Sequence, residues 1–100
     1  MSSNWFVYIL QCADSSLYTG ITTDIERRLA EHNGLLSGGA RYTKSRQPVS
    51  LVYQEKASSR AAASQREYAI KKLTRLQKET IISNSQQRFQ SITTIKKPTI

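Results

Sequence analysis

The stretch from Trp5 to Cys12, Trp-Phe-Val-Tyr-Ile-Leu-Gln-Cys, does most to decide what this chain can fold into. It is a run of aromatic and β-branched residues, too short for a helix and apolar on both faces, which reads as a central strand. Asp14-Ser15-Ser16 has turn chemistry and Leu17 to Thr22 resumes a β pattern, so the two segments form a hairpin. An odd loop of those three residues puts Tyr8 and Tyr18 on one face, with Tyr8 opposite Thr22 and Tyr18 opposite Cys12. In that register the tyrosines stand about 13 Å apart along the strands at ~3.3 Å per residue, and their phenols must lean together to share a site.

Thr23-x-x-Glu26 is a capping-box signature and announces a helix that runs to about Asn33 and stops at Gly34. Residues 34 to 47 hold three of the four glycines without apolar periodicity and read as a loop. Val49 to Lys56 alternates as a third strand. Ser58 or Ser59 caps a second helix to about Leu73, and Thr74-x-x-Gln77 restarts a third to about Ser83. The order β-β-α-β-α-α implies an α+β domain over residues 1 to 83, with a three-stranded, mostly antiparallel sheet and flanking helices. Residues 84 to 100, rich in Ser, Thr, Gln and Lys, read as a polar, weakly ordered tail.

Charge narrows the partners. Fifteen Lys and Arg against seven Asp and Glu leave +8 on 100 residues, a balance that favours a polyanion, nucleic acid before membrane. The excess gathers in two places. Residues 60 to 78 carry Arg60, Arg66, Lys71, Lys72, Arg75 and Lys78 against Glu67 alone, and residues 41 to 46 add Arg41, Lys44 and Arg46 without an acid. No apolar run approaches a membrane span, and the N-terminal apolar stretch is too short for a signal peptide, so a cytoplasmic location is expected. One cysteine, Cys12, and one histidine exclude an internal disulfide and a His/Cys metal cage; Cys12 is expected buried in a strand. There is no Walker-type or G-x-G-x-x-G loop and no evident Ser-His-Asp motif. An enzyme here must work with tyrosine, arginine, histidine and a single carboxylate.

Two helices place polar residues on apolar stripes. The inward stripe of the first helix is Ile25, Arg28, Leu29 and His32, so two of its four slots are polar and lie one turn apart. An arginine there either snorkels to water or sits in a cleft with a partner, and the histidine is either a satisfied core-edge residue or part of a site with it. In the second helix Ala63, Glu67 and Ile70 follow the same spacing, and Ala61 to Ala63 let the helix lie close to the sheet. Glu67 at that edge either pairs with a basic neighbour such as Arg66 or Lys71, or binds a hard cation. Tyr8 and Tyr18 taken alone are core aromatics with a bonded hydroxyl. The Gly38-Gly39-Ala40-Arg41-Tyr42-Thr43-Lys44 loop is either a flexible connector or a basic contact for nucleic-acid backbone.

Taken in order, these residues resemble the GIY-YIG nuclease superfamily. Phe6-Val7-Tyr8 and Tyr18-Thr19-Gly20 look like its two tyrosine motifs, about ten residues apart; Arg28 stands ten residues after the second tyrosine, and His32 four further on. Glu67, in Gln65-Arg66-Glu67-Tyr68, resembles the metal-binding glutamate of a later helix. The match covers roughly residues 5 to 80 and is most similar to small single-domain bacterial members. Phe6 departs from the name-giving glycine, Thr19 from the isoleucine, and Ile21 from a lysine that some members carry.

The resemblance implies a metal-dependent endonuclease that hydrolyses DNA phosphodiester bonds, with repair or branched structures as its expected setting. It further implies a single Mg²⁺ or Mn²⁺ held by Glu67, water and phosphate. Tyr8 takes a proton from the attacking water, Tyr18 or His32 positions or activates it, and Arg28 grips the scissile phosphate. The basic residues Arg41, Lys44, Arg46, Lys71, Lys72 and Arg75 hold DNA by structure rather than by sequence. The alternatives are a non-catalytic nucleic-acid-binding module of the same fold and an accessory domain that binds a partner through its tail.

Overall fold

The computed structural model describes residues 4–96, with side chains described through residue 85. The elements are β1 (Trp5–Gln11), β2 (Leu17–Thr22), α1 (Ile25–His32), α2 (Arg41–Lys44), β3 (Ser50–Ala57), α3 (Arg60–Lys71) and α4 (Arg75–Lys96). The sheet order is β2-β1-β3, antiparallel at both seams. The apolar run thus lies in the middle of the sheet, where strand pairing satisfies its backbone on both edges. An irregularity between Ile9 and Leu10 shifts the β1–β3 register.

Side-chain alternation divides the core into two layers. Val7 and Ile9 point to the face covered by Ala63 and Ile70 of α3, with Ile21, Ile81 and Ile82 packed alongside. Tyr8, Leu10 and Cys12 point to the other face, under Ile25 and Leu29 of α1. Cys12 is buried, just past the end of β1.

The structure moves four of the expected local features. The hairpin loop does have three residues, but they are Ala13, Asp14 and Ser15. Cys12 N–H donates to Ser16 C=O at 2.9 Å, and Ser15 takes the left-handed conformation at φ 70°. The Asp14 carboxylate fixes this turn by accepting from Ser16 N–H at 3.0 Å. The register therefore pairs Tyr8 with Gly20 and Tyr18 with Leu10, instead of Thr22 and Cys12. Helix α1 is capped by Asp24, whose side chain accepts from Arg27 N–H at 3.0 Å, one residue beyond the expected Thr23. Its other end is as expected: Gly34, at φ 80°, donates to Glu31 C=O while Leu35 donates to Ala30 C=O.

Within the expected 34–47 loop, Arg41–Lys44 forms one helical turn. Ser59 caps α3, and Thr74 and Gln77 form the reciprocal box that opens α4. That last helix passes Ser83 and runs to Lys96, so it crosses the point where the polar tail was set to begin. Residues 97 to 100 of that tail lie outside the described residues. Among the described residues no helix is long and apolar enough to cross a membrane.

Ile70 is fully buried between α3 and the sheet. Ile70→Ala leaves a cavity there and is expected to cost about 2–5 kcal/mol. The check is a fall in the urea midpoint of unfolding with an unchanged slope.

Candidate active site

The site begins with a glycine in β2. Tyr8 lies directly across from Gly20, and its ring folds flat over that position; a Cβ on Gly20 would stand 2.5 Å from the phenol oxygen. The glycine of the second motif is thus the space that the tyrosine of the first one fills. Tyr18 lies two residues before Gly20 in β2 on the same face, and the ring centroids of Tyr8 and Tyr18 are 6.5 Å apart. The shifted register brings them close without any extreme lean.

His32, on the last turn of α1, completes the cluster. It is fully buried, with centroids 5.9 Å from Tyr8 and 5.0 Å from Tyr18. Its Nε2 lies 2.9 Å from the Tyr8 phenol oxygen, and its Nδ1 lies 2.8 Å from the Thr43 hydroxyl. Both polar atoms of this buried ring are satisfied, as burial demands. Burial, followed by the nearby Arg28 charge, pulls the His32 pKa down to about 4, against a weaker upward pull from Glu31. His32 is therefore neutral at physiological pH. Burial likewise pushes the Tyr8 phenol up to about 12, opposed by the Arg28 guanidinium beside it.

Arg28 takes the cleft alternative from the sequence reading. It is half-buried, and its Nη1 donates to Glu31 Oε1 and to Gly38 C=O, both at 2.7 Å. These bonds tie α1 to the glycine-rich segment. Beside it opens a recess of about 390 Å³, lined in part by Glu31, Leu36, Gly39 and Lys44.

Glu67 on α3 stands within electrostatic range of the Tyr8 phenol, whose pKa it raises further. Its carboxylate also pairs with Lys71 Nζ at 3.1 Å, while Arg66 pairs with Glu55. Among the described residues no group of three His, Cys, Asp or Glu side chains is placed to share a metal ion. A lone carboxylate fits only a hard ion that keeps most of its shell as water and phosphate oxygen, and Glu67 would have to release or share Lys71 to hold one.

The basic residues separate into two sets. Arg46 is held by Asp14 at 3.1 Å and lies 4.0 Å above the Tyr42 ring; Arg75 pairs with Glu79, and Lys72 sits over Tyr68. Arg41 and Lys44 are exposed and have no ion-pair partner among the described residues. Two neighbours of the site were not singled out in the sequence. Tyr42 stacks on Tyr18 with centroids 5.8 Å apart, and Thr43 bonds His32. Nothing in the local pattern marks them, because one isolated turn has no periodicity. The only signal was chemical: a buried neutral histidine needs a second partner for its ring.

Tyr8, Tyr18, His32 and Arg28, with Glu67 in electrostatic range of the phenol, thus come from four elements, β1, β2, α1 and α3. The GIY-YIG catalytic domain model matches residues 4–80, and the chain belongs to that nuclease family, whose members use divalent metal ions. A UPF0213 protein of Desulfotalea psychrophila is 57% identical over 88 residues, which is 88% of this chain and 79% of the relative. The solution NMR structure of the UPF0213 protein from Bacillus halodurans is similar at TM-score 0.51 and 44% identity, over 80% of this chain and 83% of that one. That of an E. faecalis protein is similar at TM-score 0.56 and 41% identity, over 86% and 92%.

The depressed His32 pKa makes stability depend on pH. Between the unfolded value near ~6.5 and the folded value of about 4, the native state binds fewer protons than the unfolded chain. Stability is thus full above the unfolded value and is lost as pH falls through this window, by up to about 3 kcal/mol from this group. The destabilisation caused by His32→Gln should accordingly be largest at pH 7 and shrink toward pH 4, as measured by urea unfolding of both proteins.

Proposed function

We propose that the chain is a metal-dependent DNA endonuclease in which Tyr8 and His32 activate the attacking water. The carrying observation is the buried pair itself, a phenol 2.9 Å from a neutral imidazole nitrogen, with Arg28 and Glu67 within electrostatic range of the phenol. A phenol near 12 beside an imidazole near 4 keeps its proton in the resting protein. Burial raises the phenol and lowers the imidazole, so a free phenolate is not a resting state. Proton movement from water to Tyr8 and from Tyr8 to His32 therefore accompanies attack on phosphorus. Positive charge near the phenol lowers this barrier, and Arg28 already supplies some of it. A divalent ion at Glu67 would add charge there and Lewis acidity toward the phosphate oxygens.

Arg28, once a phosphate displaces or joins its carbonyl contact, neutralises charge developing on the phosphoryl oxygens. Tyr18 buttresses the His32 ring by edge contact and is itself held by Tyr42. Arg41 and Lys44 hold DNA backbone beside the site, and Lys72 extends the basic surface along α3. Contacts of this kind select DNA by structure more than by sequence; branched DNA and repair are the setting this suits, and the cytoplasm its compartment. Residues 1 to 83 are the proposed nuclease domain, which holds every residue of the site, and 84 to 100 are outside it. The second reading, a binding module without catalysis, is favoured by the Glu67–Lys71 pair, in which the carboxylate already has a partner.

Glu67→Gln separates these readings. For a metal ligand, Mg²⁺- or Mn²⁺-dependent nicking of plasmid and branched DNA collapses while DNA affinity and thermal stability persist. For a surface ion pair alone, stability drops by about 0–1 kcal/mol and any nicking continues as in wild type, which defeats the metal role.

DNA affinity is also expected to fall steeply between about 50 and 200 mM salt. Arg41→Ala combined with Lys44→Ala should reduce the slope of log K against log salt by about two, if each contacts one phosphate. A slope that is unchanged in the double variant removes α2 from the DNA-binding surface.

A further inference from the structure

No step of the proposed reaction uses Thr43, yet it is fully buried on a turn where Arg41, Tyr42 and Lys44 are all exposed. Its hydroxyl meets two groups, the Ala40 carbonyl at 3.1 Å and His32 Nδ1 at 2.8 Å. A hydroxyl has one proton, and a carbonyl oxygen can only accept. Both contacts are hydrogen bonds only if the Thr43 proton goes to Ala40 and the Thr43 oxygen accepts from Nδ1–H. A neutral imidazole protonated on Nδ1 leaves Nε2 bare. That nitrogen faces the Tyr8 phenol at 2.9 Å, so the phenol must be the donor.

We propose that Thr43 is a positioning residue that holds His32 in its Nδ1–H tautomer and thereby sets the direction of proton flow from Tyr8 to His32. In the opposite tautomer Nε2–H points at the phenol oxygen, the phenol proton has to turn away, and His32 cannot receive it. With Thr43 in place, the water oxygen bonds to phosphorus as its proton passes to the Tyr8 oxygen and the phenol proton passes to Nε2. The bond from phosphorus to the leaving oxygen breaks. His32 becomes an imidazolium whose two N–H groups still face Thr43 and Tyr8. It then releases its proton to solvent while the leaving oxygen takes one up, so no further reactant is needed.

The catalytic consequence rests on the nuclease reading, whereas the tautomer does not, and the test keeps them apart. His32 is the chain's only histidine, so its ring nitrogens give unambiguous signals in nitrogen-resolved NMR of the full chain. Wild type should show a protonated Nδ1 and a bare Nε2. Thr43→Val keeps the size and branching but removes the acceptor, and should shift the ring toward Nε2–H. Thr43→Ser restores the hydroxyl and should restore the tautomer. Mg²⁺-dependent nicking should fall about 10- to 100-fold in Thr43→Val with DNA affinity unchanged, and recover in Thr43→Ser.

A wild-type ring protonated on Nε2, or a Thr43→Val ring that keeps Nδ1–H, overturns the assignment whatever the activity. So does a Thr43→Ser protein as impaired as Thr43→Val, since that outcome means the methyl group and its packing matter instead. A wild type that nicks no DNA yet shows the tautomer pattern defeats the nuclease reading and the catalytic consequence with it, and supports the assignment of Thr43 as the group that holds the Nδ1–H tautomer.

Discussion

A buried, neutral imidazole joins the parts of this molecule. His32 is wholly out of water and makes one bond to the central strand, through Tyr8, and one to the turn of α2, through Thr43. Removing either partner leaves a polar nitrogen buried and unpaired, which costs as much as the bond itself or more. Three segments that are far apart in sequence are held to a common geometry by one ring. The adjoining backbone agrees with this arrangement: Gln47 donates to the His32 carbonyl, and Asn33 exchanges two hydrogen bonds with Val49 at the entry to β3. The end of α1 is therefore the junction through which both the site and the path into the third strand are fixed.

Charge has a narrower role than its total suggests. Of the expected DNA-binding cations, Arg46, Lys71 and Arg75 are spent on carboxylates within the protein. Such exposed pairs contribute little to stability, but they set where positive charge remains available. It remains on Lys72 and on α2, next to the recess, where Arg41 lies two residues before Thr43 and Lys44 one after. Arg28 is neutralised by Glu31 and is more embedded than the rest, which fits the proposed contact with one particular phosphate better than attraction of DNA from a distance.

The sequence made the central strand, the antiparallel sheet and both capped helices after β3 readable, because each rests on a local pattern of side chains. It also marked Arg28 and His32, since polar residues on an apolar stripe need a reason to be there. Hairpin register was harder to read. Asp14 and Ser15 suit a turn at more than one position, and a shift of one residue in the loop moves the pairing by two. Only the space over Gly20, which no local rule reports, shows why Tyr8 lies opposite it. The turn at Arg41–Lys44 is too short to carry periodicity, and its Thr43 gains importance only from a ring nitrogen eleven residues away. The alternatives for Glu67 were both visible in the sequence, and both persist in the structure as a carboxylate close to Tyr8 and to Lys71.

The departures from the family motifs now have places. Thr19 is buried in β2 with the opposite parity to Tyr18, so it faces away from the tyrosine-histidine cluster. Ile21, where some members of the family carry a lysine, shares that parity and packs with Val7, Ile9, Ala63 and Ile70. A lysine ammonium in that apolar layer would need a partner or a route to water. This chain therefore does not bring a lysine to its phenol from the β2 strand. Under the proposed mechanism, the groups left to receive the Tyr8 proton or to offset its charge are His32, Arg28 and any ion that Glu67 would hold. Of these only His32 is a neutral base within hydrogen-bond reach. Filling position 21 with an apolar side chain thus completes the α3 layer, and in the proposed mechanism it leaves the acid–base chemistry to the imidazole that α1 and Thr43 hold in place.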